Sequence, residues 1–147
     1  MTVTNDWNAG VVAEFRANGG KVAQFASATL VLMHYRGRKS GTEYVSPASA
    51  LYRPEEDPDT VYVFASKGGA PDHPQWYLNL VAAGEGSIEI GIDGVVETWP
   101  VTVRELSGED RDRRFAQHVE RQPGFADYEV KTAGIRTIPV LALTRVR

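Results

Sequence analysis

Cysteine is absent from this chain of 147 residues. Its absence excludes disulfides, thiolate metal sites, iron–sulfur clusters and a cysteine nucleophile. The three histidines are scattered along the sequence, so we expect no metal site. No apolar run approaches the roughly 20 residues of a membrane helix, and the N-terminal segment lacks the basic start and apolar core of a signal peptide. We therefore expect one cytoplasmic domain over residues 1–147, since domains cluster at roughly 100–150 residues.

A large excess of charge of either sign is also missing, because the formal net charge is −3. This balance argues against nucleic acid as a partner. The positive charge is nevertheless unevenly placed: residues 1–53 hold six basic and three acidic side chains, while the rest of the chain is net acidic. Three of those basic residues fall within the tetrapeptide Arg36–Lys39. One tight basic cluster in an acidic protein predicts a local site for an anion.

Hydrophobic periodicity and turn residues predict the order helix, three strands, helix, hairpin, helix and strand. The predicted helices span residues 6–17, 75–83 and 107–121, and the predicted strands span residues 30–35, 44–52, 60–66, 87–92, 95–104 and 137–144. Residues 123–132 fit either a short helix or a structured loop. Six antiparallel strands in a chain of this length predict an α+β fold, in which a small barrel carries helices at its rim. A flat sheet covered on one face by helices is the alternative.

Three local patterns predict how these elements pack. The dipeptide Asp93-Gly94 favours a two-residue hairpin turn, which places Trp99 opposite Ile88. Pro47 favours an edge or bulged position for the second strand, because proline cannot donate to a strand ladder. Apolar residues recur every four positions along the first helix and form a stripe that consists of Trp7, Val11 and Phe15.

Two turns that contain glycine are candidate ligand sites. In the first, Gly37–Gly41, Arg38 offers a planar fork of donors, Lys39 a point charge and Ser40 a hydroxyl, and the backbone N–H groups can form a nest for an anion. The second, Ser66–Ala70, follows an apolar strand and contains one lysine and two glycines, a pattern typical of close backbone approach to a ligand. A solvated hairpin turn and a plain strand-to-helix connection are the respective alternatives.

Two further segments carry aromatic residues that fit either a pocket or the core. On the second predicted helix, Trp76 lies on the face that packs against the core, while Tyr77 and Asn79 supply polar groups on neighbouring faces. Nearer the C-terminus, Phe125 and Tyr128 are three residues apart and fit the wall of an apolar pocket. The alternative for this pair is that both rings close the core at one end of the barrel.

The sequence offers no arrangement of nucleophile, base and orienting residue, and no pair of carboxylates at an obvious catalytic position. Two explanations follow. Either the protein is not an enzyme, or a bound cofactor carries the chemistry and the protein supplies binding and orientation.

Four motifs lie in order along the chain. They are Gly37-Arg38-Lys39-Ser40-Gly41, Ser66-Lys67-Gly68-Gly69-Ala70, His73-Pro74 followed by Trp76-Tyr77 and Asn79-Leu80, and Arg136-Thr137-Ile138-Pro139-Val140. Together they resemble the motifs of the deazaflavin-dependent nitroreductase family, an actinobacterial group of coenzyme F420-dependent reductases. The resemblance covers about residues 7–144 and implies a split β-barrel that binds F420. This cofactor is an 8-hydroxy-5-deazaflavin with a phosphate and an oligoglutamate tail, and such a polyanion fits the basic cluster.

The resemblance also implies a role for the first three motifs and for the segment that contains Phe125 and Tyr128. The phosphate and the tail carboxylates would be bound by Arg38, Lys39, Ser40 and Gly41. The deazaflavin ring and the phosphate would lie along Ser66, Lys67, Gly68, Gly69 and Ala70. The cofactor groove would be shaped by Trp76, Tyr77 and Asn79. The acceptor pocket would be lined by Phe125 and Tyr128, and the candidate catalytic proton donor is Tyr128.

The implied reaction transfers a hydride from C5 of reduced F420 to a quinone-like, nitro or enone acceptor. Gln122 and Phe125 stand where nitroreductase members carry tyrosine, which argues against bicyclic nitroimidazoles as substrates. Two alternatives stay open: an FMN-dependent reductase on the same barrel, and a non-catalytic F420-binding or storage protein. A homodimer is expected by analogy with other split barrels. Peripheral membrane contact is conceivable because quinones reside in membranes, although the first helix carries too few basic residues for a typical interfacial helix.

Overall fold

A computed structural model of the chain describes residues 2–25 and 27–147, apart from the side chains of residues 6 and 7. The ring of Trp7, which the sequence places on the apolar stripe, therefore lies outside the described part. The helices are α1 (Asp6–Ala17), α2 (Gln75–Ala83), α3 (Gly108–Arg121) and α4 (Gly124–Thr132). The strands are β1 (Thr2–Val3), β2 (Thr29–Arg36), β3 (Glu43–Tyr52), β4 (Thr60–Phe64), β5 (Glu85–Ile92), β6 (Val95–Glu105) and β7 (Val140–Arg145).

Strands β2 to β7 form a closed antiparallel barrel. The neighbours run in the order β3-β2-β5-β6-β7-β4, and β4 pairs back onto β3, which closes the circle. The two-residue β1 adds to β3 in parallel at the rim. The predicted six-stranded barrel is therefore confirmed, and the flat-sheet alternative is wrong. Closure satisfies strand edges that an open sheet would leave unpaired.

Local sequence signals set the boundaries of several elements. Helix α1 begins after Asn5, whose side chain accepts a hydrogen bond from the N–H of Asn8 at 2.7 Å, as expected of a helix cap. Helix α2 ends at Gly84, which adopts a left-handed conformation with φ of 71°. The β5–β6 hairpin turns at Asp93-Gly94, with φ of 51° and 81°. Positive φ at both central residues matches the right-handed twist of paired strands.

The hairpin register confirms the predicted pairing of Ile88 with Trp99. Both side chains lie in the barrel interior and are almost fully buried. The predicted last strand is too long at its start, because β7 begins only at Val140. In the preceding segment the Pro139 carbonyl accepts from the N–H of Ala65, and the Ile138 carbonyl accepts from the Arg111 guanidinium. Residues 137–139 thus connect elements rather than extend the strand.

Strand β3 is not an edge strand along its whole length, so the edge position that Pro47 predicts for the entire strand is wrong. Strand β1 pairs with residues 43–44 and β4 pairs with residues 50–52. Between these points Pro47 lies opposite Leu32 of β2, and the described residues place no second strand beside it. Proline therefore occupies the part of β3 where only one ladder runs, which is the local equivalent of an edge.

Among the described residues, apolar side chains form three clusters inside and around the barrel. The first fills the barrel interior, the second lies under α3 and α4, and the third lies under α1. Val11 and Phe15 are buried in the third cluster, which confirms the described part of the predicted α1 stripe. Helix α1 therefore packs on the outside of the barrel. None of the described helices is long and apolar enough to cross a bilayer.

A buried carboxylate also fastens α1 to the barrel. Glu89 is 7% exposed. It accepts two hydrogen bonds from Arg16 of α1, at 3.0 and 2.7 Å, and lies 2.6 Å from Nε2 of His34. The hydrogen bond from Arg16 lowers the pKa of Glu89, against the opposing effect of burial. A buried carboxylate held in this way is ionised at neutral pH.

Strand directions place both candidate turns at one end of the barrel. The antiparallel registers bring together the C-terminal ends of β2, β4 and β6 and the N-terminal ends of β3, β5 and β7. Turn 37–41 follows β2, and loop 66–74 follows β4. Helix α2 leads into β5, and α4 precedes β7. We call this end of the barrel the site end.

Candidate functional site

The turn between β2 and β3 has backbone donors with no internal partner. Its ends are fixed by two hydrogen bonds, from the N–H of Gly41 to the Gly37 carbonyl and from the N–H of Gly37 to the Thr42 carbonyl. Gly41 has φ of 72°, a conformation that favours glycine. The N–H groups of Lys39 and Ser40 donate to none of the described residues. Both are available to an anion, as in a backbone nest.

Arg38 is held in place by helix α2. The side-chain oxygen of Asn79 accepts from the backbone N–H of Arg38 at 3.0 Å and from its guanidinium at 2.8 Å. Gln75, one turn earlier on α2, accepts from the same guanidinium nitrogen at 3.1 Å. Both partners are neutral amides, so they orient the guanidinium without cancelling its charge. Asn79 is itself 6% exposed and is therefore a rigid support for the turn.

An open cavity of about 300 Å³ lies over this turn. Its wall includes the basic turn, the first half of α2 and a pair of stacked tyrosine rings whose centroids are 5.7 Å apart. The residues involved include Tyr35, Arg38, Lys39, Ser40, Tyr44, Gln75 and Asn79. The first predicted motif and Asn79 are thus brought together in one cationic concavity. A larger cavity, of about 1130 Å³, lies at the opposite end of the barrel, away from every predicted site residue.

The loop after β4 forms a second group of open backbone donors. Ser66 has right-handed helical dihedral angles, whereas Lys67 and Gly68 have φ of 47° and 63°. This alternation turns successive N–H groups toward one side of the chain, which is the geometry of an anion nest. The N–H groups of Lys67 and Gly68 have no acceptor in the described part of the chain. The Lys67 ammonium donates to Asp72 at 2.8 Å and lowers the pKa of that carboxyl.

Arg136 holds this loop in shape. Its guanidinium donates to the carbonyls of Ala65, Ser66 and Ala70 at 3.0, 2.9 and 3.0 Å. It also lies 3.0 Å from Nδ1 of His73. Burial, with the neighbouring Arg136 charge, lowers the pKa of His73, so a neutral imidazole accepts this bond. Arg136 of the fourth motif thus binds the backbone of the loop that carries the second motif, 66 to 71 positions earlier in the sequence.

The two aromatic residues of α2 pack against the barrel interior. The hydroxyl of Tyr77 donates to Glu105 at 2.8 Å. Burial raises the pKa of Tyr77 to about 12, and the bond to Glu105 acts in the same direction. Tyr77 also contacts His73, with ring centroids 4.9 Å apart. The groove-shaping role of Trp76 and Tyr77 stays a prediction, and the Tyr77 hydroxyl already has a partner.

Phe125 and Tyr128 lie in an aromatic group at the site end. The ring of Phe125 is 4.5 Å from that of His118 and 5.1 Å from that of Tyr128. His118 is 1% exposed and stacks on Phe64 at 4.1 Å. Burial lowers its pKa to about 4, so the ring is neutral and packs like an aromatic. This arrangement agrees with the core-closing alternative, and the pocket-lining role stays a prediction.

The second loop is in direct contact with α4, the helix that carries Phe125 and Tyr128. A Cβ added to Gly69 would lie 3.3 Å from the Tyr128 Cα, so α4 lies directly on the loop. Gln122, by contrast, donates its side-chain amide to the Ser27 carbonyl at 2.8 Å. It therefore ties the end of α3 to the segment before β2 and lies in a different environment from Tyr128.

Two sub-sites thus lie at the site end. One is the basic turn 37–41 with α2, and the other is loop 66–70 with α4. The first turn of α2 connects them, because His73 contacts Arg136 and Tyr77 while Gln75 contacts Arg38. No group of metal-ligating side chains was found among the described residues. Sequence reasoning did not assign Arg136 and Lys131 to the second sub-site, nor Tyr35, Tyr44 and Gln75 to the first.

Comparisons with known proteins agree with the resemblance. The family model described as F420H(2)-dependent quinone reductase matches residues 7–145. A Mycobacterium tuberculosis protein named for that family is 33% identical over 113 residues, which are 77% of this chain and 87% of the relative. The solved structure of an F420-H2 dependent reductase, FDR-A, has a TM-score of 0.66 and 34% identity, and the match covers 78% of this chain and 93% of that one.

A second solved structure, described as a domain-swapped dimer, has a TM-score of 0.67 and 31% identity and covers 94% of this chain and 97% of that one. The expected family and barrel are confirmed. The chain belongs to the F420H(2)-dependent quinone reductase family, a family of oxidoreductases.

Proposed function

We propose that this chain uses reduced coenzyme F420 to reduce small electron-poor acceptors, with quinone-like compounds as the principal class and nitro and enone compounds as further candidates. The observation that carries the proposal is the pair of turns at one barrel end whose backbone N–H groups are open and whose cationic side chains lie beside them. A polyanionic cofactor requires this kind of local positive surface in a protein of net negative charge.

The residues present fit the cofactor. Turn 37–41 offers the side chains of Arg38 and Lys39, and the open N–H groups of Lys39 and Ser40, for phosphate and tail carboxylates. Guanidinium and backbone N–H groups are good partners of such anions. Loop 66–70 offers open amides for the phosphate, and its two glycines carry no side chain that would keep the ring away from the backbone. When bound, reduced F420 supplies the hydride. The protein then contributes binding, orientation and exclusion of water.

The acceptor would approach from the side of α4. The Tyr128 backbone lies beside loop 66–70, and the Tyr128 ring contacts that of Phe125, so an acceptor between the cofactor ring and these side chains would meet one apolar and one hydroxyl-bearing ring. We propose Tyr128 as the proton donor to the reduced acceptor. Replacing Tyr128 by Phe tests this role, because the ring is kept and only the hydroxyl is lost. Turnover should fall while the Kd for F420 stays unchanged.

The central experiment is a titration of the purified protein with F420, followed by an assay of F420H2 oxidation with menadione. Replacing both Arg38 and Lys39 by Ala should raise the Kd at least tenfold, equivalent to roughly 1.4 kcal/mol. The matched control is Arg36→Ala, which removes a charge from the same segment but breaks only an exposed pair with Glu43 at 3.3 Å. An unchanged Kd in the double variant would exclude the turn from the site.

The same measurements separate the alternatives. FMN carries fewer negative charges than F420, so a competition titration of the two cofactors separates these cases. Tighter binding of FMN than of F420 would favour a flavin enzyme on this barrel. Binding of F420 without turnover on quinones, nitroaromatics and enones would favour a carrier or storage protein.

A homodimer is our proposal for the assembly, and the domain-swapped relative supports it. Sedimentation of the purified protein tests it.

A further inference from the structure

A lysine of α4 lies directly on the second anion-binding loop. A Cβ added to Gly69 would lie 2.8 Å from Cδ and 3.2 Å from Cβ of Lys131. The aliphatic stem of Lys131 therefore crosses the loop at this glycine, which has φ of 87°. The ammonium is two bonds beyond a carbon that already contacts the loop. The stem packs on the loop while the ammonium stays in solvent, as is usual for an exposed lysine.

The charge of Lys131 is not cancelled by a neighbour. Within the described part of the chain, its ammonium takes part in no ion pair or hydrogen bond. Glu129 on the same helix instead pairs with Arg111 at 3.1 Å. Lys67, within the loop, differs from Lys131 in that its ammonium is paired with the Asp72 carboxylate at 2.8 Å. The net positive charge at this loop is therefore supplied by Lys131 of α4 and by Arg136, whose guanidinium bonds neutral groups, rather than by Lys67.

A cation placed beside this loop would strengthen its binding of an anion. The open N–H groups of Lys67 and Gly68 point to an anion nest. A nest binds a phosphate more tightly when a lysine adds a full charge to the partial charges of the amides. Lys131 stands against the next residue of the same loop.

We propose that Lys131 is a cofactor-binding residue that contacts the phosphate of F420 at loop 66–70, the loop that the resemblance places along the ring and the phosphate. This inference rests on the proposed function, since the ligand is the same cofactor. It adds a third element, α4, to the binding surface formed by turn 37–41 and loop 66–70.

The test compares Lys131→Met with Lys67→Met in titrations with F420 and with the deazaflavin alcohol that lacks the phosphate and the glutamates. We expect Lys131→Met to raise the Kd for F420 at least fivefold and to leave the Kd for the alcohol unchanged. Lys67→Met should have the smaller effect, because its charge is already paired. Lys131→Arg should restore most of the affinity, and Lys21→Met, at the far end of the barrel, should have none.

The outcomes are distinguishable. Failure of the unmodified protein to bind F420 overturns the proposed function and this inference together. Normal F420 binding by Lys131→Met, or an equal loss for F420 and the alcohol, overturns the inference alone. Thermal unfolding of Lys131→Met should stay within about 1 °C of the unmodified protein, since exposed charges contribute little to stability. A large drop in its melting temperature, with no recovery of affinity in Lys131→Arg, would show that the residue acts structurally.

Discussion

Replacement of Arg136 by Ala should both destabilise the protein and weaken cofactor binding. The guanidinium donates to three backbone carbonyls of the loop that follows β4, at 2.9 to 3.0 Å. Loss of a hydrogen bond from a charged donor costs about 1.5–3 kcal/mol when the acceptor stays dry. Water can reach a half-buried loop, so about 1 kcal/mol for each carbonyl, or about 3 kcal/mol in total, is the expected loss.

Thermal unfolding measures this loss directly. For a domain of this size, about 3 kcal/mol corresponds to a fall of about 6–12 °C in melting temperature. Arg136→Lys keeps a cation but replaces the planar fork by a point donor, so it should recover only a small part of the loss. Arg36→Ala is the matched control, because its exposed pair with Glu43 contributes at most about 1 kcal/mol. If Arg136→Ala melts within about 2 °C of the unmodified protein, the guanidinium does not hold the loop together.

Two further predictions concern stability. The pKa of Glu89 is lowered in the folded state, so its stabilising effect is present above its unfolded pKa and is lost as the pH falls through the folded pKa. In urea unfolding, Glu89→Gln should therefore cost more at about pH 7 than at about pH 3, and an equal cost at both would contradict the ionised pairing. Gly91→Ala should be strongly destabilising, since the added Cβ would lie 2.1 Å from the Gly19 carbonyl oxygen. Gly124→Ala is the control, since the added Cβ would meet open space, and it should leave the melting temperature unchanged or slightly raised. Equal melting temperatures for the two variants would mean that Gly91 and Gly19 are not in tight contact.

The parts of the fold that local chemistry determines could be predicted from sequence. Asp93-Gly94 accepts positive φ at both turn positions, and this alone sets the register that pairs Ile88 with Trp99. Helix α2 is bounded by Pro74 before it and by Gly84 after it, so both its ends are specified within the segment. Pro47 shows the limit of such reasoning, because the identity of a strand's neighbours depends on barrel closure, which no local pattern reports.

The candidate site was predictable at the level of its turns but not of its supports. Glycines and basic residues mark turn 37–41 and loop 66–70 in the sequence. Nothing local indicates that Asn79 would fix Arg38 across 41 positions, or that Arg136 would bind loop carbonyls across 66 to 71 positions. These contacts depend on which strand ends meet at the site end, and that follows only from the closed barrel.

The partners of each cation distinguish a structural role from a binding role at this site. Arg136 and Arg111 each engage four of their five guanidinium N–H donors with carbonyls and other fixed groups, so both serve mainly to hold the structure together. Arg38 is oriented through one guanidinium nitrogen by neutral amides, and Lys131 rests on a glycine. Their charges are therefore positioned without being neutralised. A cofactor with several negative groups can then be bound by a chain that is acidic as a whole, because a few uncancelled charges near the ligand outweigh a screened net charge spread over the rest of the surface.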